Sequence, residues 1–140
     1  VRTMALMQAL ECVEKVHWYD FKDDGLDRNH NEHNFGLIRH QTHGLAPKPG
    51  AVAASVFARM TAGAKPIRLW QRDGAYAAIL QCLDGEQLAI AWHSEAESQI
   101  AVPENSQIHD MMGNPIKASS VKLTADPVYV KSPTPVPLSD

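Results

Sequence analysis

The sequence predicts an α+β fold: an amino-terminal helix–strand–helix segment followed by a small antiparallel β-sandwich. Three observations carry this. Residues 2–14 and 49–62 are filled with helix-forming residues at helical spacing. Between them, β-branched and aromatic residues cluster over 16–21 and give way to a polar loop. From residue 65 onward no helical period survives, and short apolar runs alternate with turn signals.

Taken in order, residues 2–14 contain Met4, Ala5, Leu6, Met7, Ala9, Leu10 and Val13, apolar on nearly every side of a helix. That pattern predicts a helix covered by neighbours on most faces. Glu14 and Lys15 form a short joint, and residues 16–21 read as a strand that opens into an acidic loop over 22–34. Asp, Asn, His and Gly crowd that loop, and each favours turns through local side-chain hydrogen bonds or tolerance of positive φ. A helix followed closely by a strand is the mark of an αβ unit with a parallel sheet. Residues 35–39 predict a short extended return. Pro49 then opens a second helix, where its missing N–H costs nothing. Val52, Val56 and Met60, widened by Phe57, form its apolar face, and Gly63 stops it.

The carboxy-terminal half predicts strands near 67–70, 76–83, 87–93, 99–102, 107–111, 121–124 and 128–130, separated by Asp73-Gly74, Asp84-Gly85, Pro103-Glu104-Asn105, Gly113-Asn114-Pro115 and Asp126-Pro127. Leu88, Ile90 and Trp92 alternate with Ala89, Ala91 and His93, the period of a strand. Asp84-Gly85 between two such patterns is a tight-hairpin signal. Domain bounds follow: 1–62, 65–131 as the sandwich, and a proline-rich tail over 132–140, expected to be extended and partly disordered.

Composition excludes several classes. With 13 basic and 16 acidic residues, net charge −3 and no basic run, the chain has no electrostatic footprint for nucleic acid. No apolar run is long enough to span a bilayer, so no membrane partner is expected. The first ten residues show no signal-peptide pattern, and nothing in the sequence sets a compartment. Cys12 and Cys82, both in apolar contexts, read as small buried hydrophobes rather than a disulfide pair. The chain starts at Val1, mid-pattern, as expected of a piece of a longer protein.

Three constellations could carry chemistry. Trp18, Asp20, Asp23 and Asp24 gather at the predicted strand end, with Glu32, His33 and Asn34 behind them. An indole can stack on the C–H face of a sugar ring while carboxylate and amide groups orient its hydroxyls. The plainer alternative is a strand-end turn with Trp18 in the core and the acids capping loop backbone. The pairs His30-x-x-His33 and His40-x-x-His43 offer imidazoles, but no third ligand stands at a recognised zinc spacing, so no metal is assigned. No nucleophile elbow, phosphate-cradling loop or dinucleotide fingerprint is present, and no cofactor is expected.

The run VEKVHWYDFKDDG (13–25), followed by EHNFGLIR (32–39) and PKPGAVAASVFARM (47–60), resembles the last strand and helix of the (β/α)8 barrel in clan A retaining glycoside hydrolases. It is most similar to the branch of β-xylosidases, α-L-iduronidases and bacterial polysaccharide hydrolases. IHDMMGNPI (108–116) and VKLTADPVYV (121–130) resemble the end of the β-sandwich appended to such barrels. The resemblance implies that Trp18 lines a sugar subsite, with Asp20, Asp24, His33 and Asn34 as its loop neighbours. It also implies that both catalytic carboxylates, which must face each other across the scissile bond, lie upstream of Val1. Glu11 and Glu14 do not fill that role.

The chain is therefore expected to be a carbohydrate-related, glycoside hydrolase-like piece with no turnover of its own. A whole barrel needs about 250 residues, so the buried faces of residues 1–60 need other cover, and a homo-oligomer through them is expected. The alternative is a small β-sandwich sugar-binding or protein-interaction module with a helical amino-terminal arm. A metal-binding loop protein is the third reading.

Overall fold

On the strand at residues 87–93, large and small side chains separate onto opposite faces, and this sorts the layers of the fold. The computed structural model describes residues 1–10 and 12–138. Helices α1 (Arg2–Ala9) and α2 (Pro49–Met60) precede eight strands: β1 (Lys65–Arg72), β2 (Ala75–Gln81), β3 (Gln87–His93), β4 (Ser98–Ala101), β5 (Gln107–Asp110), β6 (Pro115–Ile116), β7 (Ser120–Leu123) and β8 (Val128–Ser132). Six form one antiparallel sheet in the order β1-β2-β3-β8-β5-β6, and β4 pairs with β7 in a second, small sheet.

On β3, Leu88, Ile90 and Trp92 join Ala78, Leu80 and Tyr129 in a core with Ala5 and Ala9 of α1 and Val56 and Phe57 of α2. The opposite face shows Ala89 and Ala91, which with Ala77, Ile79 and Val130 pack against Ile100, Val121 and Leu123 of the small sheet. The β3 alanines on that face pack against the second sheet, and the bulky β3 residues on the other pack beneath the helices. Both layers around the large sheet are thus closed, and the α+β class holds.

The strand pattern of residues 65–132 follows the sequence closely, down to the alternation on β3 and the Asp84-Gly85 turn, where the Cys82 N–H donates to the Glu86 carbonyl (2.9 Å). Asp110 explains the turn after β5. Its carboxylate accepts from the Met112 N–H (2.9 Å), the Asn114 N–H (2.8 Å) and the Asn114 Nδ2 amide (2.8 Å). Burial would raise this carboxyl, but the bonds from Asn114, Met112 and Gly113 outweigh it and hold it below the usual range. The tail turns back on the small-sheet side, where Val136 is buried and Leu138 packs against the core. Ser139 and Asp140, the last two tail residues, lie outside the described residues.

Several expectations need correction. The first helix ends at Ala9, not near residue 14 (Glu11 lies outside the described residues), and Leu10 is already extended (φ −93°, ψ 117°). Only Ala5 and Ala9 of α1 are buried. Leu10 beyond them is exposed, and a helix with so little buried surface has little to extend on. Residues 16–21 form no strand. Among the described residues no backbone hydrogen bond ties 14–19 to another segment, and a β-prone sequence without a neighbour has no ladder to join. Among the described residues, the sheet-like pairing nearby is a parallel bridge from Lys22 to Ile38, extended by an antiparallel bridge from Ile38 to Pro47. On α2, Ala53 takes the place expected for Val52, which is exposed. Cys12 is exposed rather than buried, and both cysteines are free.

Candidate functional site

The loop between the helices is held from inside by one ion pair. Asp23 is 7% exposed. Its Oδ1 accepts from the Gly36 N–H (3.0 Å) and from the ammonium of Lys48. Lys48 also donates to the Asn34 carbonyl (2.9 Å). The Lys48 hydrogen bond outweighs desolvation and holds the Asp23 carboxyl below the usual carboxylate range. Gly36 permits the close approach: a Cβ there would lie 2.2 Å from the Asp23 backbone nitrogen. Backbone bonds fasten the same three segments together, from Asp23 N–H to Ile38 (3.0 Å), Leu37 N–H to Asp20 (3.0 Å) and Lys48 N–H to Leu37 (2.9 Å).

This knot presents aromatic side chains outward. Trp18, Tyr19 and Phe21 are 55%, 62% and 68% exposed. Tyr19 stands edge-on to Phe35, with ring centroids 6.4 Å apart, and its hydroxyl donates to Asp24 Oδ2 at 2.9 Å. That hydrogen bond and the carboxylate charge raise the Tyr19 hydroxyl above its ordinary value, so it stays a donor. Trp18 also lines a small apolar cavity of about 120 Å³ with Val1, Met4 of α1, Leu37, and Gly50, Ala53 and Ala54 of α2.

The five residues expected to bind a ligand divide into groups. Trp18 is on the surface with one side against the helices. Asp20 is half-buried, and its carboxylate accepts from the next N–H, that of Phe21. Asp24 meets Tyr19. His33 and Asn34 sit in a 3-10 turn (Asn31–Asn34) and brace the loop. The His33 ring stacks on His30 at 4.3 Å, and its Nδ1 accepts from the Asp27 N–H (3.3 Å). Asn34 Nδ2 donates to the carbonyls of Asp27 (3.0 Å) and His30 (2.8 Å). His40 likewise caps the second 3-10 turn (Gln41–His43) by accepting from the Thr42 N–H. No group of three or more His, Cys, Asp or Glu side chains is gathered as a metal would need, among the described residues.

Sequence reasoning missed Tyr19 as a polar partner and Lys48 as the internal counter-ion. The signal for Lys48 was its place just before Pro49, where the loop must return to the helix. Large exposed apolar side chains also concentrate here: among the described residues, all but Ile67 and Leu83 fall between residues 10 and 52.

No family model matches this chain, and no curated protein does. Among solved structures, a family 39 glycoside hydrolase from the gut symbiont Bacteroides cellulosilyticus is similar in fold, with a TM-score of 0.67 over 82% of this chain at 24% identity. The chain spans 25% of the length of that structure. The likeness shows the fold alone: this chain is folded like part of that structure.

Proposed function

We propose that this chain is the carboxy-terminal part of a glycoside hydrolase-like protein and that residues 18–34 form one wall of a saccharide site. Trp18 is the stacking platform, and Asp20 and Asp24 orient hydroxyls, with the oxygen of Tyr19, whose O–H is held by Asp24, as a further acceptor. His33 and Asn34 shape the loop. The observation that carries this reading is the run of exposed aromatics beside carboxylates on a segment that Asp23 and Lys48 hold fixed. A fixed aromatic face with adjacent polar groups suits a ring that is apolar on one side and hydroxylated at its rim. The fold likeness supports the placement within a longer enzyme.

The 140-residue chain binds without hydrolysing. A general acid in a glycosidase needs a raised pKa, and the one buried carboxylate of the loop, Asp23, is held ionised by Lys48. Purified protein incubated with aryl glycosides releases no aryl alcohol. Turnover that Asp20→Ala or Asp24→Ala abolishes would overturn the reading. Xylobiose quenches tryptophan fluorescence of the wild type, and Trp18→Ala weakens that response by at least about tenfold, or roughly 1.4 kcal/mol.

The exposed apolar belt supports a further part of the proposal. In the isolated chain, residues 1–60 self-associate and bury it. Light scattering reads an oligomer, and a monodisperse monomer across the accessible concentration range contradicts this part.

A further inference from the structure

We propose that residues 13–16 dock against the same residues of a second copy of this chain, as an antiparallel ladder about a two-fold axis between Glu14 and Lys15. This ladder is the contact behind the self-association proposed above and rests on that reading. It ends short of Trp18, so the saccharide wall stays open.

Three observations point to this segment. Residues 13–18 belong to no helix, strand or turn, yet Val13, Val16, Trp18 and Tyr19 give the stretch the composition of a strand. Among the described residues, no backbone N–H or carbonyl of 14–19 has a backbone partner, and every residue from Glu14 to Tyr19 is exposed. A row of unpaired N–H and carbonyl groups is a template for another strand, and main-chain bonds supply the affinity when one is added. Val13 and Val16 also line an apolar groove of about 450 Å³ with Met4, Met7, Leu10 and Phe57. A strand laid beside them removes apolar surface from water.

Charge selects the occupant and the register. A two-fold contact sets residue i against j and j against i. With the axis between residues 14 and 15, each Glu14 meets Lys15 of the other copy, and each Val13 meets Val16. Opposite charges directly across a ladder are favourable, and like charges are not. Neighbouring registers lose this match. An axis through residue 15 sets Lys15 against Lys15, and one through residue 14 sets Glu14 against Glu14. An axis between 15 and 16 leaves Lys15 facing Val16. A parallel pairing in register opposes like charges at both positions. The adjacent acid and base therefore make the segment its own complement, and the two-fold closes the assembly at two copies.

The test measures association of the full chain by sedimentation velocity over a range of concentrations. The expected result is a monomer–dimer equilibrium that stops at two copies and weakens in high salt. Glu14→Lys and Lys15→Glu each turn two attractions into two repulsions and weaken the dimer about tenfold. The double variant Glu14→Lys/Lys15→Glu has the wild-type net charge, pairs with its signs exchanged, and returns to the wild-type affinity. That recovery separates lost pairing from lost folding. A monomer at every concentration overturns this inference and the self-association reading together. An oligomer that ignores the single substitutions, that the double substitution fails to restore, or that grows past two copies overturns the ladder and leaves the broader self-association standing. The saccharide reading is decided separately, by the xylobiose titration.

Discussion

Replacing Asp23 with alanine removes the pin from the loop that presents Trp18. The change deletes two hydrogen bonds, from Gly36 N–H and from Lys48. It leaves a buried amide donor unmatched and a half-buried ammonium without its counter-ion. One charged hydrogen bond contributes about 1.5–3 kcal/mol, and a stranded donor costs about 1–3 kcal/mol more. Lys48 keeps the Asn34 carbonyl and has 22% of its side chain in solvent, so a net cost near the low end, about 2–3 kcal/mol, is expected. The cost falls on local opening, because none of the described residues between α1 and α2 enters either core cluster. Hydrogen exchange followed by NMR is the assay. The amides of Asp23, Leu37 and Ile38 exchange about 30- to 150-fold faster in the variant, while those of Ala89 and Ile90 in β3 keep their wild-type rates. Asp23→Asn, which can still accept both bonds but without charge, falls between. Exchange at Leu37 and Ile38 within about twofold of wild type would refute the assignment of Asp23 as the pin. Equal acceleration in β3 would refute the claim that loop and sheet open separately.

Acid tests the same carboxylate. Its folded pKa is depressed, so its stabilisation is complete above the ordinary value near ~3.9 and is lost as pH falls through the lower folded value. Loop amides therefore lose protection in that window, and Asp23→Ala shows no such step. Gly113 has φ +86°, and a Cβ there would lie 3.1 Å from Val56 and 3.2 Å from Arg59 of α2. Gly113→Ala destabilises by about 1–2 kcal/mol or more through the left-handed backbone alone, whereas Gly50→Ala, with nothing within 4 Å, is neutral or stabilising by up to about 1 kcal/mol. Thermal melts of the two variants should move in opposite directions or differ by several degrees. Cys12 is exposed, while burial pushes the Cys82 thiol up. Iodoacetamide at neutral pH therefore modifies Cys12 first, as peptide mass mapping will show.

Residues 65–132 were legible because their order is set locally. Each strand is bounded by its own turn residues, and β2 and β3 are joined by Asp84-Gly85, so register follows from neighbours in sequence. The sorting of Leu88, Ile90 and Trp92 from Ala89 and Ala91 foretold two unlike faces, though not which layer would cover which. The amino-terminal half behaved otherwise. Val16, Trp18, Tyr19 and Phe21 have the composition of a strand, but a strand exists only where another backbone lies alongside, and composition cannot report that. Asp23 and Lys48 are 25 positions apart, so no local pattern could join them. Their pairing turned a set of acids read as one ligand cluster into one internal anchor and two surface groups.

The sequence by itself determined which segments could be strands, where the turns of residues 65–132 fall, and that aromatic and acidic residues stand close together between the two helices. The tertiary structure decided which of those acids is spent inside the loop and that Trp18 faces outward. The physical reason is range: propensity and turn chemistry act over a few residues, whereas burial, charge pairing and cavity shape arise only when distant segments are brought together.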